Sequence, residues 1–99
     1  MIPVSIAKAV TTAGTRVPLS ATSLMVTRFT VQALFGNTGR IYVGGSTVAS
    51  TNGISLDAKQ MLAVDPQKKG PSEKTDLANW YIDSSVNLEG VSIMYFIEE

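Results

Sequence analysis

Between Met25 and Phe35 the sequence reads MVTRFTVQALF, and large apolar residues at Met25, Phe29, Val31, Ala33 and Phe35 alternate with Val26, Arg28, Thr30, Gln32 and Leu34. A period of two puts successive side chains on opposite faces of an extended strand, so this stretch predicts a strand with one face on a core and the other mostly polar. A helix over the same residues would scatter the apolar side chains around its circumference. The rest of the chain has to supply partners for that strand, and its punctuation shows how.

Turn residues recur at short intervals. Residues 36–39, Gly-Asn-Thr-Gly, predict a four-residue turn with positive φ at its glycines, from which RIYV (residues 40–43) returns as the second strand of a hairpin. Gly44 and Gly45 end that strand, and residues 47–49 form a brief next one. Asn52-Gly53 then reads as a two-residue hairpin turn ahead of Ile54 and Leu56. MLAV, residues 61–64, is an apolar run of the length of one buried strand.

Near the start, Ile2, Val4, Ile6 and Val10 share one parity, interrupted by Lys8, and Pro3 marks an edge strand or a strand start. Residues 15–19, TRVPL, predict a short extended piece, because Pro18 disfavours helix and pushes Val17 toward the β region. Near the end, NWYID places Trp80 and Ile82 on one face with Tyr81 on the other. VSIMYFI gives a last strand with Val91, Ile93, Tyr95 and Ile97 together and with Met94 and Phe96 also apolar, so it is expected to be central or covered on both sides. Residues 65–76, DPQKKGPSEKTD, hold no large apolar side chain and predict an exposed loop long enough to make contacts. Seven or eight short strands separated by turns predict one all-β domain over residues 1–99, an antiparallel sandwich of jelly-roll-like form, with residues 1–6 a possible extended arm.

Composition narrows what such a domain does. Hydrophobic residues are 44% of the 99, charged residues 16%, and eight basic and eight acidic side chains cancel. This is the balance of a folded chain and gives no basic stripe for nucleic acid, so no nucleic-acid partner is expected. No run of apolar residues approaches the 18 needed to span a membrane as a helix, and residues 1–15 lack the basic-then-apolar order of a secretory signal.

Histidine and cysteine are both absent, which removes the usual general base, the thiolate nucleophile and Cys-ligated zinc. The alternation of Asp83, Ser85, Asn87 and Glu89 resembles an oxygen-ligand calcium loop, but Leu88 stands where an EF-hand needs glycine and Met94 where it needs an acid. The glycines of residues 36–56 match neither a dinucleotide fingerprint nor a P-loop. No cofactor, metal or catalysis is therefore expected. Trp80 and Tyr81 are the aromatic pair for a sugar-stacking face, with Trp80 expected in the core and Tyr81 at its rim.

The segments FTVQALFGNTGRIYVGGSTVASTNGISL and NWYIDSSVNLEGVSIMYF, together 46 of the 99 residues, resemble a group of small tailed-phage virion structural proteins. Members often carry an acid at the position of Gly45 and a second glycine near Leu88, where this chain departs. The resemblance implies a head decoration, or cement, protein on the capsid surface, bound to the major capsid protein and to copies of itself as a homotrimer. Expected contact residues are Ile2, Val4 and Ile6 at the start and Lys68 and Lys69 in the loop. A tail or fibre component is the alternative within a virion, and a carbohydrate-binding module using Tyr81 is the alternative outside that class.

Overall fold

A computed structural model describes residues 2–65 and 74–97. Among them the chain forms ten antiparallel strands and one 3₁₀ turn: β1 (Ile2–Val10), β2 (Val17–Pro18), β3 (Met25–Val26), β4 (Arg28–Ala33), β5 (Ile41–Gly44), β6 (Ile54–Leu56), β7 (Met61–Val64), β8 (Thr75–Asp76), the turn Leu77–Asn79, β9 (Tyr81–Ser84) and β10 (Glu89–Ile97). They make a four-stranded sheet in the order β1-β10-β4-β7, a second in the order β2-β9-β5-β6, and a two-stranded ribbon β3-β8. The extended piece expected over residues 15–19 contains β2, residues 25–35, read as one strand, divide into β3 and β4, and β8 lies at the end of the stretch expected as a loop, while residues 47–49, expected as a strand, contribute only the bridge of Ala49 with Asn52.

One buried cluster draws Phe29, Val31, Ala33, Val91, Ile93 and Tyr95 from the first sheet and Ile41, Val43, Leu56 and Ile82 from the second. Trp80 packs edge-on to Phe29 with ring centroids 5.1 Å apart, and its indole N–H donates to Thr75 Oγ1 at 2.9 Å. That contact packs the half-buried Trp80 against the core cluster, as its parity with Ile82 implied.

The alternation of residues 25–35 holds only from Arg28 to Ala33. Met25, assigned to the apolar face, is exposed, and Val26 is buried instead. The phase flips at Thr27, whose N–H (2.9 Å) and hydroxyl (3.2 Å) both donate to the Phe96 carbonyl. This lets the chain leave the β3-β8 ribbon and enter the first sheet. Phe35, at the other end, is 79% exposed because the strand has ended two residues before it.

The expected hairpin of β4 and β5 does not form. β4 is already paired on both edges, with β10 and β7, so β5 crosses to the second sheet and pairs with β6 and β9. Residues 34–40 make this crossing around the start of β10: Leu34 N–H and Asn37 Nδ2 both donate to the Gly90 carbonyl, at 3.1 and 2.9 Å. Gly39 lies outside the positive-φ region. It is needed for space, because a Cβ there would overlap Ser85 Oγ and stand 2.7 Å from Val86 Cγ2.

The Asn52-Gly53 turn is also displaced. Ala49 and Asn52 exchange two backbone hydrogen bonds of 3.0 Å, so Ser50-Thr51 is the two-residue loop. Gly53 follows at φ 125°, where a Cβ would stand 2.9 Å from the Val43 carbonyl oxygen.

β1 pairs with β10 along its whole length, Ile2 opposite Ile97 through Val10 opposite Glu89. Leu88, at φ 66°, donates its N–H to the Val10 carbonyl at 2.8 Å just ahead of Glu89, the geometry of a bulge that usually carries glycine. That bond sets the phase of the ladder. Even-numbered residues of β1 turn their amides to β10, and Pro3, which has none, faces the open edge.

Candidate binding surfaces

The first sheet leaves one face open. Registers align Pro3, Phe96 and Arg28 in one row, Ser5, Met94, Thr30 and Ala63 in the next, and Ala7, Ser92, Gln32 and Met61 in a third. Met94 is 43% and Met61 60% exposed on it. The strand β10 is central, as its two apolar faces predicted, yet no described residue covers its Met94 side. β7, expected as a buried strand, is an edge strand whose Met61 and Ala63 are exposed on this face for the same reason. Arg28, 4.8 Å from the Phe96 ring centre, is the one charged side chain in the three rows, and it lies at their end. At the other end Phe35 carries Lys59 Nζ 4.6 Å above its ring.

Four strands about 4.8 Å apart and about six residues long at ~3.3 Å each give a patch of roughly 300 Å² in projection. It is mostly neutral, built of Ser, Thr, Ala, Gln and Met, and contains no pair of groups able to trade a proton.

The residues expected to make contacts fall in three places. Ile2, Val4 and Ile6, expected in an arm or at a neighbour, lie in the edge strand β1, hydrogen-bonded to β10. Val4 and Ile6 are half-buried against the core cluster, and Ile2 is 40% exposed. Lys68 and Lys69 lie outside the described residues. Tyr81 is half-buried on β9, between Gly44 and Pro18 on the neighbouring strands, and forms part of an open cavity of about 620 Å³ with Gly14, Thr15, Arg16, Ser46 and Thr47. Arg16, Ser46 and Thr47 carried no signal in the sequence, since they come from loops far apart in the chain.

The acidic alternation of residues 83–89 is spent on tying loops together. Asp83 Oδ1 accepts from the N–H groups of Gly14 (3.0 Å) and Ser84 (2.8 Å), and Asn87 Oδ1 accepts from Ala13 N–H at 2.7 Å. Glu89 accepts from Thr38 N–H (2.6 Å), Thr38 Oγ1 (2.8 Å) and Gly39 N–H (2.8 Å). The backbone donors of Thr38, then Gly39, hold the Glu89 carboxyl below its ordinary value. Asp76 is held low in the same way, first by the Ser23 hydroxyl and then by the Leu24 and Ala78 N–H groups, while it caps the 3₁₀ turn. Among the described residues no three acidic side chains gather as a metal site.

Comparison of the chain with known protein families, with curated proteins and with solved structures gives no match, so these surfaces are read from their own chemistry.

Proposed function

We propose that the protein is a virion structural component, a capsid decoration protein that docks on the major capsid protein shell through the open face of the β1-β10-β4-β7 sheet and stabilises the head. One observation carries the reading: a four-stranded sheet with a mostly neutral face that no described residue covers, with Met94 at its centre and Met61 at its edge, in a chain with no histidine or cysteine to do chemistry. Exposed apolar side chains set among small polar ones are what a protein contact buries, and Met adapts its shape to the surface it meets. The two four-stranded sheets are taken to stack as a jelly-roll-like sandwich, which the sharing of one hydrophobic cluster between them supports.

The size of the face bears on stoichiometry. A standard interface buries about 800 Å² on each partner, more than twice the projected patch. A single copy would hold weakly, and several copies joined together would hold by avidity, which favours a homotrimer over a monomer on the shell. Nucleic acid and membrane have no place in this assignment, and the site of action is the capsid surface.

The test is co-sedimentation of the purified protein with expanded shells that lack it, followed by a count of bound copies. The wild type is expected to saturate at hundreds of copies, and Met94→Lys or Thr30→Lys, which bury a charge in the contact, to abolish binding while leaving the melting temperature within a few degrees. Failure of the wild type to sediment, or full binding by both lysine variants, overturns the reading. Saturation at a handful of copies moves it to the tail or fibre.

A further inference from the structure

The cavity over Tyr81 is on the second sheet, away from the proposed docking face, and its construction is that of a ligand site. Tyr81 forms the floor, and its neighbours across the sheet, Gly44 and Pro18, raise no long side chain beside it. One wall is Gly14, Thr15 and Arg16; the other is Ser46 and Thr47.

Both walls are pinned. On the first, Ala13 N–H is held by Asn87 and Gly14 N–H by the buried Asp83, with Gly14 at φ 87°. On the second, Val48 is 1% exposed, its side chain seated over Gly44 and Gly53. Val48 N–H donates to the Gly45 carbonyl at 3.1 Å, and Asn52 Nδ2 donates to the Thr47 carbonyl at 3.3 Å. A ligand meets walls already in position, so little ordering cost is charged against its affinity.

Of the side chains lining the cavity, Thr47 accepts at Oγ1 from Asn52 Nδ2 at 3.4 Å and keeps its own O–H to donate. Among the described residues, Arg16 has no carboxylate or carbonyl against its guanidinium, and the hydroxyls of Thr15, Ser46 and Tyr81 make no hydrogen bond. Among the described residues no acidic side chain lines the cavity and Arg16 is the charged one. A planar guanidinium fork matches a carboxylate in two parallel hydrogen bonds. The hydroxyls match alcohols, and the tyrosine ring offers an apolar face to the carbon side of a pyranose.

We propose that this cavity binds a carboxylate-bearing sugar, of the uronic or sialic acid class, with its ring on Tyr81, its carboxylate on Arg16 and its hydroxyls on Thr15, Ser46 and Thr47. The occupant is polar and shallowly held, so binding is weak per site and becomes useful only when many copies face a glycan-covered surface.

The experiment is a ¹⁵N-resolved NMR titration of the full chain with methyl glucuronide and with the methyl glycoside of N-acetylneuraminate. Methyl glucoside serves as the neutral counterpart and acetate as the carboxylate without a ring. At least one acidic sugar is expected to give saturable shifts at Gly14, Thr15, Arg16, Ser46, Thr47 and Tyr81, and to bind about 10- to 100-fold more tightly than the neutral sugar, the worth of a charge-assisted hydrogen-bond pair. Arg16→Gln is expected to erase that preference and Tyr81→Ala to weaken acidic and neutral sugars alike, each keeping the spectrum of a folded chain elsewhere. The proposal is overturned by the absence of shifts from either acidic sugar up to about 50 mM. It is also overturned if acetate equals the sugars, which would leave a simple anion site, or if Arg16→Gln retains the preference. Neither substitution touches the first sheet, so shell co-sedimentation of the two variants reports on the docking face independently.

Discussion

Replacing Leu88 by glycine and by alanine tests the bulge that joins β1 to β10. Leu88 lies at φ 66°, is 74% exposed, and gives its N–H to the Val10 carbonyl. A left-handed backbone costs a residue with a Cβ about 1–2 kcal/mol relative to glycine. Glycine returns about 0.5–1 kcal/mol of that as the larger entropy it loses on folding. Both variants discard the isopropyl end of the side chain beyond Cβ, so its contribution cancels and only the Cβ distinguishes them. Taking the middle of each range, Leu88→Gly should therefore exceed Leu88→Ala in stability by about 0.75 kcal/mol, or about 3–6 °C in a domain of this size. At an exposed position with negative φ the order is the reverse, which makes the sign the measurement. Thermal and urea unfolding of the two variants beside the wild type give it directly. An alanine variant as stable as the glycine variant would show that position 88 is not left-handed, and the phase of the β1–β10 ladder argued from its N–H would go with it.

The remaining predictions concern the core and the two clamping carboxylates. Phe29→Ala removes a ring that is 1% exposed and in edge contact with Trp80. It should cost about 3–5 kcal/mol, a large share of the ~5–15 kcal/mol that holds such a domain, and urea unfolding would read the loss as a fall in midpoint at unchanged slope. Asp76 and Glu89 both have folded-state values below the ordinary 3.8 and 4.5. Their stabilising effect is accordingly present above those ordinary values and lost as pH falls through the lowered ones. Thermal scans from pH 6 down to about pH 2.5 should show the wild type losing stability through the acid range and the pair Asp76→Asn, Glu89→Gln losing less of it; equal slopes would refute the assignment of the clamp to the charged forms.

How much of this was legible in the sequence depends on the range over which each feature is specified. The period-two stretches that became β1, β4 and β10 were visible because a strand half in a core writes its environment into alternate residues. Strand partners were not. A turn of Gly-Asn-Thr-Gly beside two apolar runs looks like a hairpin, and only the occupancy of both edges of β4 by β10 and β7 shows why it is a crossing. The phase change at Thr27 depends on a carbonyl 69 residues away. The binding residues divide the same way. Tyr81 stood out as an aromatic residue of outward parity, whereas Arg16, Ser46 and Thr47 become its neighbours only when two loops fold over β9.

The ladder between β1 and β10 also governs the order in which this molecule can be made. β5 with β6 and β4 with β7 find their partners within a few tens of residues, but among the described strands β1 pairs with β10 alone. Val10 and Glu89 are about eighty residues apart in the chain, which at ~5–20 residues per second of synthesis is about 4–16 s. For that interval a nine-residue strand of Ile, Val and Ala waits with both edges open, the state most prone to pair with another chain. Pro3, with no amide to offer, and Lys8, a charge on the face turned toward the core, are then more than irregularities in an alternating pattern. Both are features of the kind that oppose the capture of an open strand by another chain.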